Sequence, residues 1–113
     1  WKLTLGDYAW VGDDAVLYTL GEITIGANSV VSQKCYLCTG SHDFMSPHFD
    51  ITASPVVIGE KCWLATDVFV APGVSVGDGT VVGARSSVFK SLPANKICRG
   101  NPAVVIRERV ETD

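Results

Sequence analysis

Two histidines, a Cys-x-x-Cys pair and a cluster of basic side chains near the C-terminus are the residues of this 113-residue chain best suited to chemistry. His42 lies in the run Thr39-Gly-Ser-His-Asp43. Imidazole changes charge between pH 5 and 8 when unperturbed, so it can take a proton and return it near neutrality. The residue types alone leave two roles for His42 open: a general base, or a side chain that only hydrogen-bonds at a turn. His48 sits at no motif position and reads as a solvent-facing loop residue, with substrate contact as the alternative. Cys35 and Cys38 have the spacing of half a zinc site, but one such pair is a weak sign of metal, and none is expected. The net charge of −3 hides an asymmetry: residues 1–84 carry −6, whereas residues 85–113, with Arg85, Lys90, Lys96, Arg99, Arg107 and Arg109, carry +3. An anionic ligand is expected at the positive end, with a solvated basic tail as the alternative; the acidic total argues against non-specific nucleic-acid or membrane binding.

The elements that must position these groups follow from a period of six. Ile58, Leu64, Val70, Val76, Val82 and Val88 recur at every sixth residue, a spacing that neither a 3.6-residue helix nor a two-residue strand produces. Four positions after these come Cys62, Val68, Val74, Thr80 and Ser86, all small or β-branched, and Gly59, Ala65, Ala71, Gly77 and Gly83 follow the aliphatics directly. Such a repeat reads as a parallel β-helix, an all-β solenoid in which each short strand points one aliphatic inward and successive coils stack them into a column.

The same period appears earlier as Leu5, Val11 and Leu17, slips by two residues, and resumes at Ile25, Val31 and Leu37. A small bulge is therefore expected over Leu20–Ile23, and about four coils in all. Residues 43–55 break the pattern and read as one loop excursion, which places His42 at the last corner before it. After Pro93 an extended tail is expected along the outside of the helix, and Pro102 keeps it out of a central strand. Residues 1–113 read as a single domain, and the chain starts at Trp1 in repeat phase, so a preceding segment is expected. An open solenoid end and outward Trp10, Tyr18 and Phe69 point to a homo-oligomer. The cysteines fit small buried positions better than a disulfide framework, and no run is long and apolar enough to span a bilayer, so a reducing cytoplasmic setting is expected.

Beyond the period, the run CTGSHD (38–43), the W-[IL]-[GA] triplet Trp63-Leu64-Ala65, the segment APGVSVGDG (71–79) and the terminus GNPAVVIR (100–107) closely resemble the hexapeptide-repeat acyltransferases of the maltose, galactoside and nodulation-factor acetyltransferase group. The first third is most similar to the exopolysaccharide branch of that group, the colanic acid biosynthesis acetyltransferases. The resemblance implies a left-handed parallel β-helix assembled as a homotrimer, with acetyl-CoA as donor and a sugar-type hydroxyl as acceptor. It makes His42 the base, Thr66 the residue whose backbone N–H faces the thioester carbonyl, and Trp63 and Ala65 part of the pantetheine wall. Ala84 matches the position that meets the pantetheine amide, and Lys90 and Arg107 match basic positions near the CoA phosphates.

Departures from the pattern mark where the chain differs. Arg85 replaces a glycine and either clamps a phosphate or narrows the groove, and Phe89 replaces a small polar residue. The acceptor-binding acid of the sugar-specific relatives has no clear counterpart in the stretch from Tyr18 to Glu22, so Tyr18, Glu22 and Asp43 are the candidates for acceptor contact. Two other readings compete with acetyl transfer: a non-catalytic trimeric scaffold or CoA-binding module, and a zinc carbonic anhydrase. The latter needs three imidazoles where this chain has two.

Overall fold

The period of six closes into a triangular solenoid, described over residues 2–110 in a computed structural model. Coil 1 is β1 (Leu3–Leu5), β2 (Trp10–Val11) and β3 (Val16–Tyr18), and coil 2 is β4 (Ile23–Ile25), β5 (Val30–Val31) and β6 (Tyr36–Cys38). A hairpin of β7 (Gly40–His42) and β8 (Ile51–Ala53) interrupts the winding. Coil 3 is β9 (Val56–Ile58), β10 (Trp63–Leu64) and β11 (Phe69–Val70), and coil 4 is β12 (Ser75–Val76), β13 (Val81–Val82) and β14 (Ser87–Val88). The chain ends in β15 (Lys96–Gly100) and β16 (Ala103–Glu108).

Each side of the triangle is a sheet that runs along the solenoid axis. Sheet 1 has the order β1-β4-β9-β12, sheet 2 the order β16-β15-β13-β10-β5-β2, and sheet 3 the order β14-β11-β6-β3. Pairing between coils is parallel and in register, so Leu64 lies opposite both Val31 and Val82, and Val70 opposite Leu37 and Val88. This register builds the aliphatic column: Ile25, Val31, Leu37, Ile58, Leu64, Val70, Val76, Val82 and Val88 are buried, as are Ser29, Cys35, Cys62, Val68, Val74, Thr80 and Ser86 at the second inward position. The interior hydroxyls are satisfied; Ser29 donates to the Gly59 carbonyl at 2.6 Å and Thr80 to the Pro93 carbonyl at 2.5 Å.

The corners explain the residues between strands. Gly26 follows an inward aliphatic where a Cβ would stand 2.5 Å from the carbonyl carbon of Gly59 in the next coil, so only glycine lets the coils approach. The chain then turns through the left-handed region, at Asp14, Lys34, Asp67 and Arg85 (φ 58–63°) between sheets 2 and 3. Non-glycine residues pay for this conformation in Cβ crowding.

Three expectations need refinement. The slip between coils 1 and 2 is a bend at Leu20–Gly21, after which Ile23 also points inward, opposite the buried Val56. The excursion is an ordered antiparallel hairpin starting at Gly40, so His42 sits on its first strand and not at a coil corner. The C-terminal segment is not a strap laid along the outside: β15 extends sheet 2 as the parallel neighbour of β13, and β16 folds back antiparallel, with Pro102 in the turn between them. The charged residues after Ile106 partly serve this end. Arg109 donates from one guanidinium nitrogen to the carbonyls of Lys61 and Gly79, each at 2.9 Å, and Lys96 pairs with Glu108. Residues 111–113 of that terminus lie outside the described residues. At the other end, among the described residues, Leu5 is 48% exposed where its counterparts in later coils are buried.

Candidate active site

His42 is presented by a hairpin anchored at one residue. Thr39, fully buried, donates from Oγ1 to the Tyr18 carbonyl at 2.5 Å and accepts the Gly21 N–H at 2.8 Å, while its carbonyl accepts the Ser54 N–H at 2.9 Å. Both hairpin legs are thereby fixed to the bend between coils 1 and 2. The Tyr18 ring lies over Gly40, where a Cβ would stand 2.6 Å from its Cε2, so any side chain there would have to displace the ring. At the far end Asp43 accepts the Met45 N–H at 3.0 Å and its own N–H bonds the Asp50 carbonyl at 2.8 Å, which closes the turn.

The imidazole of His42 is exposed, and its Nδ1 is 2.8 Å from the Phe49 carbonyl oxygen. A carbonyl only accepts, so Nδ1 is the protonated nitrogen of this contact, and in the neutral imidazole the lone pair is then on Nε2. A neutral histidine in this tautomer can receive a proton on Nε2. The orienting group is a backbone atom of Phe49, a residue at φ 50°, and not the carboxylate of Asp43.

A second set of candidates lines the corner between sheets 2 and 3. Trp63 points outward from β10, half exposed, and its indole N–H donates to Ser32 Oγ at 2.9 Å. Ala65 and Thr66 start the corner of coil 3, and Ala84 and Arg85 form that of coil 4. Thr66 Oγ1 donates to the Gln33 carbonyl at 3.1 Å, and the Thr66 carbonyl accepts the Arg85 N–H at 2.9 Å. Among the described residues the backbone N–H groups of Thr66 and Ala84 donate to nothing, which leaves two donors one coil apart. Arg85 reaches Asp67 at 3.9 Å, a solvent-exposed pair that contributes little to stability. The side chain of Arg99 leaves β15 beside Gly83, its Cβ 3.1 Å from where a Cβ on Gly83 would stand.

The winding order separates the two sets. The hairpin with His42 leaves the solenoid between sheet 3 and sheet 1, whereas Thr66, Ala84 and Arg85 lie between sheets 2 and 3 and Trp63 lies on sheet 2. Within one chain they occupy different edges of the prism. Lys90, exposed between β14 and sheet 1, is on the hairpin's edge, and Arg107 lies on β16, the edge strand of sheet 2. Tyr18 and Glu22 flank the bend under the hairpin. Sequence reasoning named Trp63 and His42 but not Ser32 and Phe49, which orient them. Ser32 belongs to no motif, and the Phe49 group is a carbonyl, which every residue has.

The four cysteines are free thiols, and burial pushes Cys35, Cys62 and Cys98 above the ordinary thiol value. The Cys35 thiol donates to the Ala65 carbonyl at 3.1 Å, inside the column, so it does not converge with Cys38 on a ligand. Among the described residues no group of three or more His, Cys, Asp or Glu side chains converges as a metal site.

Comparison with known proteins matches this architecture. Residues 55–90 match the bacterial transferase hexapeptide (six repeats) model. The whole chain is 85% identical to an Escherichia coli K12 protein whose name assigns it to acetyl transfer in colanic acid biosynthesis, and it spans 62% of that protein's length. It is 29% identical to a maltose O-acetyltransferase from Clostridium difficile 630, with a TM-score of 0.93 over 98% of this chain and 61% of that one. A hexapeptide-repeat acetyltransferase from Vibrio cholerae, solved in complex with acetyl coenzyme A, is 25% identical with a TM-score of 0.92 over 97% of this chain and 62% of that one. The repeat at 55–90 and the four-coil parallel solenoid show this chain to be a hexapeptide-repeat β-helix, similar over its whole length to acetyltransferases built on that repeat, of which it spans about 62% of the length.

Proposed function

We propose that the chain is the β-helical part of an acetyl-CoA-dependent O-acetyltransferase that acts on a hydroxyl of a sugar or exopolysaccharide precursor in the cytoplasm. The observation that carries this reading is the His42 tautomer, with Nδ1–H committed to the Phe49 carbonyl and Nε2 free. In the proposed reaction Nε2 takes the acceptor's hydroxyl proton as the oxygen bonds to the thioester carbonyl carbon. The C–S bond then breaks, and the proton passes from Nε2 to the departing thiolate, so no acyl-enzyme is needed. Most of the acceleration comes from holding donor, acceptor and base together, with the base supplying a further 10²–10⁴-fold, on the order of 3–5 kcal/mol. The unpaired Thr66 N–H is the donor for the developing oxyanion, with Ala84 N–H for the pantetheine amide. Trp63 and Ala65 wall the arm, and Arg85, Lys90 and Arg107 are the cations for the phosphates.

Base and donor wall occupy different edges of one chain, so the site is completed by assembly. We place the hairpin of one copy against the corner between sheets 2 and 3 of the next, in a homotrimer. Phe44, Met45, Phe49 and Ile51 leave the hairpin highly exposed, and Trp63 and Val30 form an outward apolar row on sheet 2, which supports that packing. Buried free thiols at three positions fit a reducing compartment.

The test is His42→Ala, assayed by thiol release from acetyl-CoA with a panel of sugars, alongside CoA binding by calorimetry. Transfer is expected to fall by at least about 100-fold while CoA affinity and assembly persist. An unchanged rate removes His42 from the mechanism. A wild-type protein that binds CoA without transfer to any sugar or to water is instead a CoA-binding module.

A further inference from the structure

One step toward the open end from Thr66, the corner between sheets 2 and 3 widens into a groove of about 460 Å³ that includes Trp10, Asp13, Asp14, Gln33 and Lys34. That volume lies within the range of small-molecule sites. Of its lining, Trp10 has so far been read only as an outward residue that points to association, and Gln33 only as the carbonyl that accepts Thr66 Oγ1; no ligand role has been given to either. Trp10 is 67% exposed and stands outward on sheet 2 in register with Val30, which is in register with Trp63. The two indoles therefore lie on one outward row, two coils apart. The groove also adjoins the residue that bears the proposed oxyanion donor, since the Gln33 carbonyl accepts both Thr66 Oγ1 and the Asp67 N–H at 3.1 Å. With strands about 4.8 Å apart, Asp13 sits about 10 Å below Thr66, within the span of one or two sugar rings.

The chemistry of the lining selects a ligand class. An exposed indole offers a flat apolar face, and a pyranose offers a matching face of C–H groups with hydroxyls around its rim. Carboxylates only accept hydrogen bonds, the Gln33 amide both donates and accepts, and the Lys34 ammonium donates. Neither Asp13, Asp14 nor Lys34 takes part in a salt bridge among the described residues, so these groups are available to hydroxyls. Two carboxylates against one ammonium give the groove a negative charge. A nucleotide would stack on the same indole, but its phosphates would meet those carboxylates.

We propose that this groove seats an uncharged pyranose unit of the acceptor, stacked on Trp10 with its hydroxyls on Asp13, Asp14 and Gln33, and that it discriminates against uronic acids. Its role as an acceptor site rests on the acetyl-transfer reading, whereas sugar binding does not. A sugar held there presents a hydroxyl toward the Thr66 level, where the hairpin of a neighbouring copy brings His42.

The experiment is a titration of the ¹⁵N-labelled protein with methyl galactoside and methyl glucoside, and separately with methyl galacturonide and methyl glucuronide. The Trp10 indole N–H and the Asp13 and Gln33 amides are expected to shift with the neutral glycosides, with the uronides binding about ten-fold more weakly from charge repulsion. Trp10→Ala should abolish the shifts and Trp10→Tyr should retain them, while Asp13→Asn with Asp14→Asn should bring the uronides level. Shifts confined to the hairpin, equal binding of uronides, or no binding at sugar concentrations where acetylation proceeds would overturn the proposal. A parallel CoA titration separates the two ideas: loss of CoA binding with the glycoside response intact overturns acetyl transfer and leaves the sugar groove standing.

Discussion

Leu64 and Leu5 occupy the same position of the repeat at different depths, and the same deletion in each should give different costs. Leu64 is fully buried between Val31 and Val82, whereas Leu5 is 48% exposed and among the described residues pairs only with Ile25. Leu64→Ala removes the transfer free energy of the missing carbons and leaves a cavity that the rigid neighbouring coils cannot close, which costs about 3–4 kcal/mol. Leu5→Ala opens to solvent, leaves no enclosed cavity and gives up only part of a half-buried side chain, about 1 kcal/mol. The gap of about 2–3 kcal/mol is a sizeable part of the 5–15 kcal/mol that stabilises an ordinary domain. Urea unfolding followed by circular dichroism measures it, with midpoints expected about 1–2 M apart at similar slopes. Protein concentration must be held fixed, because association adds to apparent stability. Equal costs would refute the reasoning: the first coil would then be as deeply covered in solution as the third, and the column would not end where the chain exposes it.

Other consequences can be measured on the same protein. Burial holds the thiols of Cys35, Cys62 and Cys98 above their ordinary value, so at pH 8 only Cys38 should react quickly with a disulfide reagent until urea is added. The same shift makes stability fall with pH. The unfolded thiols ionise near 8.5 while the folded ones stay protonated, so the contribution is full below that pH and is lost as pH rises toward the folded values. Ser32→Ala removes the partner of the Trp63 indole and should raise KM for acetyl-CoA several-fold, with unfolding changed by no more than about 1 kcal/mol. Arg85→Gly relieves a left-handed residue at the cost of a more flexible unfolded chain. These terms are each about 1 kcal/mol, so the thermal midpoint should hold or rise, while KM for acetyl-CoA rises at low salt if the guanidinium meets a phosphate.

The solenoid was legible because its inward residue recurs on a period that no helix or flat strand shares; Ile58 through Val88 spell it out, and every one of them is buried. The hairpin was harder to read. Gly40, Ser41 and His42 continue the repeat region without any break in hydropathy, and their departure is decided by Thr39, which looks like one more small polar residue but binds both hairpin legs. The C-terminal end misled for a related reason. Pro102 argues against a central strand, yet it occupies the turn of a hairpin whose first strand is central, and Arg109 reads as part of a charged terminus while its guanidinium joins two coils. The candidate site residues, the Thr66 N–H among them, were named from motif positions and the family resemblance; the Phe49 carbonyl beside His42 carries no side-chain signature and could not be named that way.

The two ends of the column are built differently, and that gives the molecule a direction. Beyond coil 4 the hairpin of β15 and β16 and the Arg109 contacts cover the stack, whereas among the described residues coil 1 pairs with coil 2 alone. In a solenoid each coil is held by those beside it, so opening starts where one neighbour is missing and advances coil by coil. Amide exchange should therefore form a gradient, fastest at Leu3–Leu5 and slowest around Leu64 and Val82. The corner that bears Thr66 and Ala84 would be among the last parts of the chain to loosen, and the Trp10 groove among the first.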